Sequence, residues 1–175
     1  MSVPSFKRAI ERRMLVIGIL LIPISLYTFV SLLTYTESDF PNSSKISDTV
    51  INLGGLEGAG IAYYLTIYLG YGGYTVPVII WLLAWNRIRG KRLALLIKQL
   101  FWVLILMVIG ISTGSQMPYV SDSIKFQISG LLGTYIGEQM ASFCGQEMSF
   151  LVGSLLLLGV FVIIMYKVWK NEFRS

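Results

Sequence analysis

Four long apolar runs alternate with polar connections along this chain. The runs cover about residues 14–33, 74–85, 93–111 and 148–166. A helix rises 1.5 Å per residue, so about 20 apolar residues can cross a hydrocarbon core of about 30 Å. The pattern therefore predicts four transmembrane helices.

Two further apolar segments, about residues 54–70 and 128–143, are rich in glycine. In the second segment the large apolar residues recur at helical spacing, which is typical of an amphipathic helix. We expect both segments to form amphipathic or re-entrant helices on the outer side of the membrane, and the pattern leaves open which of the two they are. The predicted fold class is all-α integral membrane, with a membrane domain over residues 14–168, a basic cytoplasmic N-terminus over residues 1–13 and a cytoplasmic tail over residues 169–175.

The first run indicates a retained span rather than a cleaved signal peptide. It is about 20 residues long, whereas the apolar part of a signal peptide has about 7–15 residues. No pair of small residues suited to cleavage follows it. We therefore expect the chain to keep this span.

Twelve of the fourteen basic residues lie in three clusters, one before the first run, one between the second and third, and one after the last. The other two connections are mainly acidic. Short cytoplasmic loops keep Lys and Arg, so this distribution predicts that both termini are cytoplasmic. The residues expected to determine this topology are Lys7, Arg8, Arg12, Arg13, Arg87, Arg89, Lys91, Arg92, Lys167 and Lys170.

A glycine-containing pattern occurs twice, with one constant offset of 75 residues. The repeated residues are Gly55, Leu56, Gly58, Ile61 and Gly70, which match Gly130, Leu131, Gly133, Ile136 and Gly145. The offset predicts a two-fold internal repeat, each half being a span, an outer helix and a return span. Small residues spaced by four let helices approach closely in lipid, but they do not tell whether the partner helix belongs to the same chain or to another copy. The residues expected to serve helix packing or assembly are Gly54, Gly55, Gly58, Gly130, Gly133 and Gly137.

Composition narrows the chemistry that this chain can perform. The 175 residues are 55% hydrophobic, with a mean hydropathy of +0.71, and contain no His and a single Cys, Cys144. A phosphate-binding loop needs G-x-x-x-x-G-K-[ST], whereas Gly90-Lys91 is followed by Arg92 and preceded by Trp85 at the first glycine position. We therefore expect no catalytic site, no cofactor and no metal in this chain.

The segment from Leu33 to Trp85 resembles the N-terminal four-span membrane domain of FtsK/SpoIIIE-type DNA translocases. The resemblance rests on LTYTESDFPNSS and on INLGGLEGAGIAYYLTIYLGYGGYTVPVIIWLLAW. The second half, SGLLGTYIGEQMASFCGQEMSFLVGSLLLLG, resembles the family's entry to the fourth span. In all, the resemblance covers about residues 14–168. The family's cytoplasmic ATPase motor and DNA-reading domain have no counterpart in these 175 residues, so the chain is either a piece of such a protein or a separate membrane subunit.

The resemblance implies a membrane-anchoring and assembly domain in the bacterial inner membrane, which tethers a chromosome-segregation motor to the division septum. Its expected partners are the lipid bilayer, further copies in a hexamer and other cell-division membrane proteins. DNA would be reached only through a motor domain that this chain lacks. The alternatives are a small transporter or channel subunit, to which a parallel repeat and glycine-broken helices are suited, and a stand-alone membrane scaffold. A membrane-embedded enzyme fits least, because the chain lacks His and clustered acids.

Overall fold

The computed structural model describes residues 3–37, 39, 50–90 and 93–172, and among these it describes the side chains of residues 12–37, 39, 50–90 and 96–166. The described residues form helices and contain no strand. The helices are α1 (Val3–Leu33), α2 (Gly55–Leu69), a 3-10 turn (Gly70–Tyr74), α3 (Thr75–Ile88), α4 (Leu93–Ser115), α5 (Asp122–Cys144) and α6 (Gln146–Glu172).

Four helical stretches are long and apolar enough to cross a membrane. They are Arg12–Leu33, Gly55–Ile88, Leu96–Ser115 and Gln146–Tyr166. Two of the four are 20 and 21 residues long, which matches the thickness of a hydrocarbon core of about 30 Å. The prediction of an all-α membrane protein with four spans is confirmed.

The second candidate span differs in extent from the predicted residues 74–85. Those twelve residues would rise only about 18 Å as a helix, which is too short for a core of about 30 Å. In the structure α2 ends at Leu69, a 3-10 turn covers Gly70–Tyr74 and α3 covers Thr75–Ile88. The whole stretch of 34 residues, Gly55–Ile88, is long and apolar enough to cross a membrane. The predicted division into a helix over about residues 54–70 and a further helix from about residue 74 agrees with the ends of α2 and α3, and the part of this stretch that crosses the membrane stays a prediction.

The connection between α4 and α5 is shorter than the polar residues suggested. Helix α4 continues to Ser115, beyond the predicted end at Ile111, because hydroxyl groups bond to carbonyls of their own helix. Thr113 donates to Ile109 at 2.7 Å and Ser115 donates to Ser112 at 2.7 Å. Such bonds satisfy a polar side chain inside a helix without interrupting it.

Helix α5 begins at Asp122 rather than at the predicted residue 128, and its interruption lies at Gly130. Gly130 has φ 60° and ψ −172°, which are not helical angles. Gly145, which follows the helix, has φ 82°. The same arrangement surrounds α2, where Gly55 has φ 67° and Gly70 has φ 56°. Each helical segment is thus bracketed by positive-φ glycines, and both pairs keep the offset of 75 residues found in the sequence.

The chain divides into two compact units. The first contains residues up to Tyr63 together with Tyr74–Phe101. In it α1 packs along α3, and the Ser25 hydroxyl donates to the Pro77 carbonyl at 2.8 Å. A Cβ on Gly18 would lie 2.9 Å from the Ala84 carbonyl oxygen, so glycine at this position allows the two helix backbones to approach.

The second unit contains Tyr64–Gly73 and the chain from Trp102 onwards. Its interior is made of small and polar residues, including Ser112, Ser129 and Ser149, while α6 exposes large apolar side chains such as Leu155. Helix α5 has the same distribution: Gly133 and Gly137 are buried, whereas the larger Leu131 and Tyr135 are exposed. This distribution is typical of a protein in lipid, where close backbone packing rather than burial of large apolar groups holds helices together.

Candidate functional site

A hydrogen-bonded clamp joins the end of α1 to the start of α2. The Asn52 amide nitrogen donates to the Ser31 carbonyl at 2.8 Å, and the Asn52 side-chain oxygen accepts the Gly54 N–H at 2.8 Å. The Tyr27 hydroxyl donates to the Gly54 carbonyl at 2.8 Å, and Thr34 Oγ1 accepts the Leu53 N–H at 3.1 Å. Asn52 is buried, and its side chain bonds through the amide nitrogen to α1 and through the amide oxygen to the start of α2. It therefore fixes the angle at which the chain enters α2.

Asp39 extends this clamp beyond the end of the first span. Its carboxylate accepts the Ile51 N–H at 3.0 Å and the Thr36 hydroxyl at 2.7 Å. Burial raises the pKa of Asp39, but the hydrogen bonds from Ile51 and Thr36, with a further one from Asn52, outweigh burial and lower the pKa below its ordinary value of 3.8. The ionised carboxylate is thus the form that the clamp requires.

Tyr35 lies beside this acidic group. Its pKa is raised above the ordinary value of 10.0, mainly by burial and then by the negative charges of Glu37 and Asp39 and the nearby Tyr63. Tyr35 is accordingly a neutral hydroxyl group at physiological pH.

Two of the glycines expected to serve helix packing lie against Ser31 of α1. A Cβ on Gly58 would come within 2.6 Å of Ser31 Oγ, and a Cβ on Gly54 would overlap the same atom. Gly55 has no atom within 4 Å of its Cβ position, so its role is conformational and follows from its φ of 67°. Gly54 and Gly58 therefore pack within their own chain.

The three corresponding glycines of α5 lie in the second unit. Gly130 faces the backbone of Tyr68, Leu69 and Gly70. A Cβ on Gly133 would lie 2.8 Å from the Ile111 carbonyl oxygen. Gly137 packs against the polar end of α4, where a Cβ would overlap Ser115 Oγ and would lie 3.0 Å from the Ser112 carbonyl oxygen. The partner atoms at all three positions belong to the same chain.

The basic residues expected to determine topology are only partly within the described region. Arg12 and Arg13 are exposed on α1. Arg89 lies over the Trp85 ring, with 4.4 Å between its guanidinium carbon and the ring centroid, and Arg87 donates to the Met14 sulfur at 3.3 Å. The residues outside the described region are Lys91 and Arg92, together with the side chains of Lys7, Arg8, Lys167 and Lys170.

The described residues contain no group of three His, Cys, Asp or Glu side chains that could hold a metal ion. Cys144 is a free, exposed thiol at the end of α5. The closest pair of amides is Asn86 and Gln99, in which Asn86 donates to Gln99 Oε1 at 2.9 Å. Because Asn86 also donates to the Leu82 carbonyl at 2.8 Å, this pair serves to join α3 to the start of α4.

Sequence reasoning missed Ser31, Ser115 and Tyr119. Nothing in the alternation of apolar and polar residues distinguishes Ser31 or Ser115 from other small residues in a span. Tyr119 has a φ of 61°, the one positive φ at a non-glycine position among the described residues. A signal for Asn52 was present, because it opens the NLGG segment, but its two bonding partners could not be read from the sequence.

Comparison with known proteins identifies the family. The chain is 28% identical over 141 residues to a DNA translocase FtsK of Pseudomonas syringae pv. syringae, and this covers 78% of the chain and 18% of that relative. It is 27% identical over 141 residues to a DNA translocase FtsK of Pseudomonas syringae pv. tomato, with the same coverage. The chain thus matches less than one fifth of the length of these curated relatives, and no solved structure matches it. The family described as the 4TM region of DNA translocase FtsK/SpoIIIE matches residues 12–174, and the chain belongs to this family.

Proposed function

We propose that this chain is the membrane-anchoring and assembly region of an FtsK-like DNA translocase in the bacterial inner membrane. The observation that carries the proposal is the family match over residues 12–174, which includes all four candidate spans. The mechanism is positional. Four helices hold the attachment point of a motor at the membrane surface, and the chain itself performs no catalytic step.

The orientation follows from the basic clusters. Arg12 and Arg13 lie at the start of the first candidate span, Arg87 lies at the end of the second, and Arg89 follows directly after it. Retention of Lys and Arg on the cytoplasmic side would place both termini and the connection between α3 and α4 in the cytoplasm. A motor attached after residue 175 would then lie on the side where the chromosome is.

Cys144 provides a test of this orientation, because it is exposed and is the single thiol of the chain. We expect a membrane-impermeant maleimide to label Cys144 in intact spheroplasts. The matched reporter Cys144→Ser/Arg89→Cys should be labelled only after permeabilisation. Cys144→Ser/Tyr119→Cys is a second outer reporter in case lipid shields residue 144. Labelling of residue 89, but of neither outer position, in intact spheroplasts would contradict the orientation.

The septal role is a separate part of the proposal. We propose that the region gathers as a hexamer and contacts other cell-division membrane proteins, as the family resemblance implies. In cells whose translocase carries this chain as its membrane region, a fluorescent fusion should concentrate at the closing septum. A fusion of the motor without any membrane region is the control, and we expect it to be diffuse. Uniform membrane fluorescence of the complete fusion would contradict septal recruitment.

A transporter or channel subunit is the alternative, and it would require polar groups free to line a path. The most polar part of the described spans is the end of α4. There Thr113 and Ser115 bond to carbonyls of their own helix, and Gln116 donates to Ser115 Oγ at 3.1 Å. Because these side chains already donate hydrogen bonds within the chain, we favour the anchor.

A further inference from the structure

A groove of 460 Å³ runs along α6 in the second unit, beneath the loop that precedes α5. The residues that line it include Tyr119, Glu147, Leu151, Ser154, Leu155 and Leu158. The Ser154 hydroxyl donates to the Phe150 carbonyl of its own helix at 2.8 Å and is therefore satisfied. The wall is mostly apolar along α6, and the residues that line the groove also include a carboxylate, Glu147, and a phenol, Tyr119.

The length of the groove fits one leaflet of a bilayer. From Glu147 to Leu158 the helix rises about 16 Å, which is about half of a hydrocarbon core of about 30 Å. Leu151, Leu155 and Leu158 are 51%, 62% and 62% exposed, although they lie within a candidate span. An acyl chain of a single leaflet would cover these side chains over the full length of the groove.

Tyr119 has an unusual backbone conformation. Its φ of 61° is strained for a bulky side chain, and its ring is fully exposed. Glu147, in the first turn of α6, is also exposed and makes no ion pair with any residue within the described ranges. An aromatic face and a carboxylate that line an apolar groove are the groups that bind an amino cation on an apolar stem.

We infer that this groove binds a zwitterionic phospholipid with an ammonium group in its headgroup, of the phosphatidylethanolamine class. The acyl chain lies against Leu151, Leu155 and Leu158, and the ammonium group lies between the Glu147 carboxylate and the Tyr119 ring. An anionic headgroup would meet the negative charge of Glu147. A lipid fits better than a protein segment because the groove opens onto α6, the candidate span with the smallest buried share, 11%.

The test compares two lipids with identical acyl chains, POPE and POPG, bound to the full chain in detergent micelles and counted by native mass spectrometry. We expect the wild-type chain to retain POPE in preference to POPG. Glu147→Gln removes the charge, and Tyr119→Asn removes the ring but keeps a residue that tolerates a positive φ. Each substitution should reduce the preference for POPE about fivefold.

Two further variants separate the headgroup from the acyl chain. Glu138→Gln removes an exposed carboxylate of α5 that does not line the groove, and it should leave the preference unchanged. Ser154→Phe fills the groove without leaving a partner unsatisfied, and it should reduce retention of both lipids. Circular dichroism of each variant establishes that it is folded. Equal retention of POPE and POPG by the wild-type chain, or a preference that survives Glu147→Gln, would overturn the proposal.

Discussion

Gly70 and Gly130 meet backbone to backbone, and both have positive φ angles, of 56° and 60°. A Cβ on Gly70 would lie 2.5 Å from the Ile128 carbonyl oxygen, and a Cβ on Gly130 would overlap the Gly70 amide nitrogen. One glycine ends α2 and the other interrupts α5. The contact therefore joins the two glycine-marked segments at the points where each departs from a regular helix.

Gly130→Ala should destabilise the chain more than Gly55→Ala. Both residues have a positive φ, and the angles of Gly130, φ 60° and ψ −172°, are essentially confined to glycine, so that another residue there costs about 1–3 kcal/mol. Gly55 has open space around its Cβ position, whereas a Cβ on Gly130 meets backbone atoms of Leu69 and Gly70. Overpacking adds about 1–3 kcal/mol. Denaturant unfolding in detergent, followed by circular dichroism, would measure the free energy of unfolding of each variant. An equal decrease for the two variants would show that the contact between Gly70 and Gly130 does not contribute to stability.

Asn52→Ala and Ser31→Ala should have opposite effects, although the two residues lie at the same clamp. Removal of the Asn52 side chain leaves the Ser31 carbonyl and the Gly54 N–H without their partners, which costs about 1–3 kcal/mol. The Ser31 hydroxyl is buried and makes no hydrogen bond in the described part of the chain. Ser31→Ala should therefore be neutral or slightly stabilising, and a large loss of stability in the same unfolding measurement would contradict the geometry described for Ser31.

The small-residue stripes were visible in the sequence because their spacing of four is a property of the helix itself. What they contact was not visible. Gly58 packs on Ser31 in the first apolar run, and Gly137 packs on Ser115 in the polar segment that follows the third run. The sequence does not show whether the hydroxyl of a serine donates to a carbonyl of its own helix. The spacing predicted the packing faces, and only the folded chain supplied their partners.

The start of α5 differs from the predicted one, whereas the predicted break between α2 and α3 agrees with the structure. Asp122–Gln127 is polar and was assigned to a connection, yet it forms the first turns of α5 ahead of Gly130. Gly70–Tyr74 was read as a break between two helices, and in the structure it is a 3-10 turn that begins at the positive-φ Gly70 and separates α2 from α3. Polarity and glycine content indicate where a helix can stop. At Gly70 the helix stops, and over Asp122–Gln127 the helix continues despite its polar residues.

Topology should depend on the basic residues between α3 and α4. Replacement of Arg87, Arg89, Lys91 and Arg92 by Gln removes the positive charge that favours a cytoplasmic location for this connection. We expect that in part of the population the second span fails to cross and the last two spans insert in the inverted orientation, so that labelling of Cys144 by an impermeant maleimide decreases in spheroplasts. The control removes Lys45 and Lys125, which lie in the predicted outer connections, and should leave labelling unchanged. Full labelling after loss of all four charges would refute this account of the orientation.

The bond between Asp39 and the Ile51 amide should be lost in acid. The pKa of Asp39 is lowered in the folded chain, so the ionised carboxylate contributes stability that is fully present above the ordinary value of 3.8 and disappears as the pH falls through the lower folded-state value. Hydrogen exchange at Ile51, corrected for the intrinsic rate, should therefore accelerate below about pH 4. Leu53 is the internal control, because its N–H donates to the hydroxyl of Thr34, which does not titrate. In Asp39→Asn the exchange at Ile51 should no longer change with pH, and protection of Ile51 that persists unchanged to pH 2 in the wild-type chain would exclude the carboxylate as its acceptor.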